Sequence, residues 1–143
     1  DADFNELGAV VALTALKRKN KIQKAFILDF DLHVGDGNIN ILGKTGYVAI
    51  LNPAGQDRNE YLKTVANALD KTDADMIAVS AGFDNHEADW GGLLATEDYT
   101  TMGRLVREAA RRNGGGCFGI LEGGYNHAVL GKNVWAFIEG LSG

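Results

Sequence analysis

Asp29, Asp31 and His33 follow one another at two-residue spacing, at the end of the apolar run Ala25-Phe26-Ile27-Leu28. Residues two apart in an extended strand point to the same side. Two carboxylates that close repel one another unless a cation or a donor sits between them. Carboxylate oxygens joined by one imidazole nitrogen, with a coordination position left open, describe a catalytic zinc site better than a closed structural one. A further ligand must come from another segment, and Asp84 in Ser80-Ala81-Gly82-Phe83-Asp84 is the best placed candidate. A plainer reading competes with this one: Asp31, Asp36 and Asp84 shape turns beside Gly35, Gly37 and Gly82. Spacing alone leaves both open.

The elements that must position these groups can be read from periodicity. Ala25–Asp31, Tyr47–Leu51, Met76–Ala81 and Cys117–Leu121 are apolar runs of the kind found in strands buried on both faces. Between them lie amphipathic segments marked by Leu62, Val65, Ala66 and Leu69, then by Tyr99, Met102, Val106, Ala109 and Ala110 with Thr96 as N-cap. Leu130, Val134, Phe137, Ile138 and Leu141 mark a last helix. Asp3 and Glu6 form a capping box for a first helix through Phe4, Leu7, Val10, Val11 and Thr14. The pattern predicts an α/β chain, a mostly parallel sheet flanked by helices, forming one domain over residues 1–143. The stretch from Asp31 to Tyr47 is too short for an ordinary crossover helix and is expected to be a loop over the rim. Ligands of such sheets bind beyond the carboxyl ends of the strands. Three polar clusters stand there: Asp29 to Gly37, Ser80 to Asp89, and Leu121-Glu122-Gly123-Gly124-Tyr125-Asn126.

Composition narrows the function classes. Lys and Arg total 14 against 19 Asp and Glu, a net charge of −5, and the one basic cluster runs from Lys17 to Lys24. Direct nucleic-acid binding needs a broader basic face. A single cysteine, Cys117, excludes an intrachain disulfide and a cysteine-based zinc cage, and its apolar neighbours predict buried filler. No apolar stretch approaches the roughly 18 residues of a membrane span, and no signal peptide opens the sequence, so a cytoplasmic setting is the expectation. The 19 glycines against one proline imply tight turns and close backbone approaches.

In these motifs the chain resembles the zinc-dependent histone deacetylase superfamily, with its acetylpolyamine amidohydrolases and acetoin-utilisation proteins. Asp29, Asp31, His33, Gly35, Asp36 and Gly37 match its D-x-D-x-H-x-G-[DN]-G. Ser80 to Asp84, His86 and Asp89 match S-A-G-F-D-x-H-x-x-D, Leu94, Thr96 and Tyr99 match L-x-T…Y, and Gly123 to Asn126 match G-G-Y-N. Phe4-Asn5 matches the helix before the metal strand. The resemblance implies the arginase/deacetylase fold and hydrolysis of an acylated amine, such as acetyl-lysine or an acetylpolyamine. Asp31, His33 and Asp84 would then hold Zn2+. Asp29 would orient a catalytic histidine while its backbone helps hold a monovalent cation such as K+. Tyr125 would donate its phenol to the substrate carbonyl, and Gly123 and Gly124 would form the substrate rim.

Departures from the pattern carry expectations too. The family's His-His pair, general base and proton shuttle, precedes the segment matched by Phe4-Asn5, and Asp1 lies just downstream of it. The chain thus corresponds to a C-terminal half lacking the N-terminal strands, poorly active alone, and needing either the N-terminal half or self-association. Trp90 stands where the pattern has Pro, and Ile50-Leu51-Asn52-Pro53 where a serine helps bind the monovalent cation. Two other functions compete. One is a non-catalytic binding or assembly domain. The other is a D-x-D phosphohydrolase, which leaves His33 and Tyr125 idle. His86 is expected to order its loop by hydrogen bonds and His127 to be solvated or capping. Gly114-x-Gly116-x-x-Gly119 precedes a strand, and Gly43-Lys44-Thr45 has Asn38 where a P-loop needs glycine, so neither is a nucleotide site.

Overall fold

The computed structural model describes residues 7–143. The Asp3–Glu6 capping box and Phe4-Asn5 lie outside the described residues. In chain order the elements are α1 (Leu7–Arg18), β1 (Ala25–Asp29), α2 (Asp36–Leu42), β2 (Val48–Leu51), α3 (Arg58–Lys71), β3 (Met76–Ala81), α4 (Thr96–Arg112), β4 (Gly116–Leu121) and α5 (His127–Ser142). The four strands form one sheet in the order β2-β1-β3-β4, parallel throughout.

The strict alternation of strand side chains divides the core into two layers. Phe26 and Leu28 of β1, with Ile77, Val79 and Ala81 of β3, face a layer built with Tyr61, Val65 and Leu69 of α3, Tyr99, Met102 and Val106 of α4, and Phe137 of α5. Ala25, Ile27 and Ala78 face the opposite layer, with Ala9, Val10 and Leu13 of α1 and Leu42 of α2. Every residue of β1 is buried, as a strand covered on both faces requires. β2 and β4 depart from that expectation. Both are sheet edges and only half-buried, and Gly119 and Leu121 of β4 are exposed. Cys117 on β4 is accordingly only half-buried, packed against the margin of the first core layer.

Three further expectations are corrected. The stretch between Asp31 and Tyr47 contains the seven-residue helix α2, which makes the crossover by seating Leu42 in the α1 layer. Thr96 is the first residue of α4, not its cap. Ala95 holds the cap position, its N–H donating to Asp98 Oδ2 at 2.8 Å. Asp98 also accepts two bonds from the Arg58 guanidinium, at 2.6 and 2.8 Å, which ties the start of α3 to the start of α4. Strand β1 ends at Asp29, so Asp31 and His33 lie on a bend beyond it.

Candidate metal centre

That bend is built by local side-chain to backbone bonds. Asp29 Oδ1 accepts from Asp31 N–H at 3.2 Å, and Asp31 Oδ1 accepts from His33 N–H at 2.9 Å. Each is the two-residue turn that Asp favours. The turns gather the side chains more closely than an extended strand would. His33 Nδ1 stands 3.2 Å from Asp31 Oδ1 and 3.1 Å from Asp84 Oδ2, and one ligand atom from each of the three residues lies within 4.8 Å of the others.

Asp84 arrives from the end of β3 and is fully buried. Its Oδ1 accepts from Leu32 N–H at 2.9 Å. Its Oδ2 approaches His33 without hydrogen-bond alignment and has no hydrogen-bond partner. Burial, with the Asp31 charge adding to it, holds the Asp84 carboxyl above its ordinary range, against the opposing Leu32 N–H. A buried carboxylate oxygen without a donor is costly. A divalent cation among these atoms would satisfy it, and two carboxylates with one imidazole suit zinc. The donor set therefore fits the metal.

The end of β4 closes the site from the other side. Gly123 N–H donates to Asp31 Oδ2 at 2.9 Å. A Cβ on Gly123 would fall 2.6 Å from that oxygen and 3.0 Å from Asp84 Oδ2, so only glycine lets the backbone approach both carboxylates. Gly124 has φ of +139°, a conformation that side chains rarely adopt, and turns the chain to present Tyr125. The Tyr125 ring is half-exposed, stacked on Trp90 at 4.0 Å between centroids, and edge-on to His33 at 6.5 Å. Partial burial and the nearby charges of Asp84, Asp31 and Asp89 raise its pKa, so the phenol keeps its proton at neutral pH. An open pocket of about 500 Å³ lies beside it, lined by Ala88, Asp89, Trp90, Tyr125, Asn126 and His127.

Some contributors were not anticipated from sequence. Asp89 accepts from the N–H groups of Tyr125 and Asn126, both at 2.8 Å, and from Trp90 N–H at 2.7 Å. Desolvation opposes ionisation there, but those three donors hold its carboxyl below the ordinary value. Asp89 thus fastens the tyrosine loop. A motif with an acid before Trp90 was visible, but the fold alone shows what the acid grips. Asn52, one residue beyond β2, donates through Nδ2 to the carbonyl oxygens of Asp29 (2.8 Å) and Asp31 (3.3 Å). A monovalent cation near Asp29 does not fit this arrangement, since a donor already faces both carbonyls.

The remaining histidines follow expectation. His86 is buried, with Nδ1 accepting from Ala88 N–H at 3.1 Å and Nε2 3.2 Å from Thr96 Oγ1. His127 is exposed at the first turn of α5, where Asn126 is the cap.

The histone deacetylase domain matches residues 44–141. The chain is 27% identical to a "Probable deacetylase" of Methanothermobacter thermautotrophicus, covering 98% of this chain and 52% of the relative. It is 26% identical to a histone deacetylase-like amidohydrolase of Pseudomonas aeruginosa, over 93% of this chain and 45% of that one. The crystal structure of an acetylpolyamine aminohydrolase from Burkholderia pseudomallei superposes with a TM-score of 0.76 at 21% identity, covering 94% of this chain and 48% of that chain. The chain spans about half the length of the curated relatives it matches. Over its matched residues and in its fold, the chain belongs to the histone deacetylase family.

Proposed function

We propose that the chain carries the metal centre and oxyanion donor of a zinc-dependent amidohydrolase that removes an acyl group from an acylated amine. The observation that supports it most is the buried Asp84 Oδ2, which has no hydrogen-bond partner and stands 3.1 Å from His33 Nδ1 and beside Asp31. Asp31, His33 and Asp84 would hold the ion. Zinc bound there supplies Lewis acidity, polarising an amide carbonyl and making water acidic enough to attack at neutral pH.

The protein's own groups account for the rest. Tyr125, protonated and half-exposed, is the donor for the developing oxyanion once a substrate displaces it from its stack on Trp90. Asp29 fixes the backbone of the ligand Asp31. The open pocket beside Trp90 and Tyr125 suits the alkyl arm of an acylated amine such as acetyl-lysine or an acetylpolyamine. No histidine among the described residues stands free beside the ligands to act as base, since His86 is buried in its loop and His127 starts α5. The proton acceptor is therefore proposed to come from an N-terminal half of the domain or from a second chain.

The test is acetyl-lysine hydrolysis by the zinc-loaded protein completed with that half, set beside its Tyr125→Phe variant. A loss of about 10² to 10³ in turnover with zinc retained supports the assignment. Unchanged turnover, or phosphate ester hydrolysis driven by magnesium, contradicts it.

A further inference from the structure

The carbonyl oxygens of Asp29 and Asp31 converge on a single point at the end of β1, and what stands at that point is a side chain. β2 pairs with β1 up to Leu28 opposite Leu51, so Asn52 follows one step beyond the last paired residue. Pro53 comes next. It is the one proline of the sequence, and it is buried. A residue before proline is held to extended backbone, so Asn52 continues the course of the strand instead of turning away from β1. Its Nδ2 then lies 2.8 Å from Asp29 O and 3.3 Å from Asp31 O. Both partners are carbonyls, which can only accept. The NH2 side of the amide must therefore face them, and its two hydrogens serve one carbonyl each.

Two carbonyls aimed at one point require either donors or a cation. Nδ2 occupies the position from which an ion would bridge both oxygens, and 2.8 Å to Asp29 O leaves no room for an ion between them. We propose that the Asn52 amide is a built-in substitute for a monovalent cation, a positioning residue that locks the Asp29–Asp31 bend from the β2 side without potassium or sodium. The bend it locks carries Asp31, so the amide acts on the metal centre only through backbone placement. The pairing exists whether or not the zinc assignment is correct.

The experiment is a thermal melt of the zinc-free protein in potassium, sodium or N-methylglucamine chloride, at equal ionic strength of about 100 mM. A cation site held at a hundredfold above its Kd would raise the midpoint by roughly 5–10 °C. The wild-type midpoint is expected to agree among the three salts within about 1 °C. Asn52→Ala removes this amide from the two carbonyls, and its midpoint in N-methylglucamine should fall and then recover in potassium. A wild-type midpoint that climbs with potassium by the amount above overturns the proposal. So does an Asn52→Ala protein that melts like wild type in N-methylglucamine, because the amide then carries nothing. Zinc is absent from every arm, so failure of the zinc reading and failure of this one are separate results.

Discussion

Gly123→Ala places a methyl group between the two carboxylates of the metal centre. The added Cβ would sit 2.6 Å from Asp31 Oδ2, closer than real Cβ contacts come, and 3.0 Å from Asp84 Oδ2, a tight contact that requires that oxygen to shift. Neither oxygen can yield freely. Asp31 is held by His33 N–H and Gly123 N–H, and Asp84 is fully buried and held by Leu32 N–H. The strain of inserting one methyl into such packing is about 1–3 kcal/mol. It is relieved by moving the carboxylates apart, which spoils their convergence on His33. Displacing the groups that orient metal ligands typically weakens binding by about 10- to 100-fold, and a loss of that size is expected in zinc affinity by competition with a chromogenic chelator. Gly131→Ala is the control. Its Cβ meets nothing within 4 Å inside α5, so it should raise stability by about 0.5–1 kcal/mol and leave zinc affinity alone. A Gly123→Ala protein that binds zinc as tightly as wild type would show that the strand end merely passes near the ligands.

Burial raises the Asp84 pKa above its unfolded value, so in the metal-free protein its contribution to stability is full below the unfolded pKa and is lost as pH rises through the folded one. Metal-free Asp84→Asn should therefore melt higher than metal-free wild type at neutral pH, with the gap closing in acid; an equal gap at all pH values contradicts the assignment. Trp90→Ala removes a ring stacked on Tyr125 at 4.0 Å and should lower stability by about 0.5–1.5 kcal/mol in denaturant unfolding, and no change would mean the stack holds nothing. The edge strand β4 exposes Leu121, and α5 exposes Trp135 and Ile138. Unpaired edges and apolar patches of this kind recruit a partner, so sedimentation of the chain alone should show concentration-dependent association; a monomer at all concentrations argues otherwise.

The parallel α/β architecture was legible because β1 and β3 are short apolar runs ending in polar clusters, and a sheet covered on both faces leaves that signature. The edge strands β2 and β4 carry the same signature, and nothing local distinguishes an edge from a centre; which strands lack a neighbour is settled by topology. The grouping of Asp31, His33 and Asp84 could be read from residue type and motif. Its geometry could not, since period-two reasoning presumes a strand that ends at Asp29 in the fold, and the Asp-to-backbone turns bring the imidazole in. Helix α2 was missed because Asp36–Leu42 is only seven residues, too short for a periodic pattern to stand out. Asn52 and Asp89 escaped notice as a clamp and a tether because their partners, backbone groups of Asp29, Asp31, Tyr125 and Asn126, have no letter in the sequence.

The central claim is that Asp31, His33 and Asp84 together hold one divalent metal. Elemental analysis after zinc loading and exhaustive dialysis, run on wild type and on Asp84→Ala with circular dichroism to confirm the fold, tests it most directly. The account predicts close to one zinc per wild-type chain and a large loss of zinc in the folded variant. Full zinc content in Asp84→Ala, or a folded wild type that retains none, would contradict it.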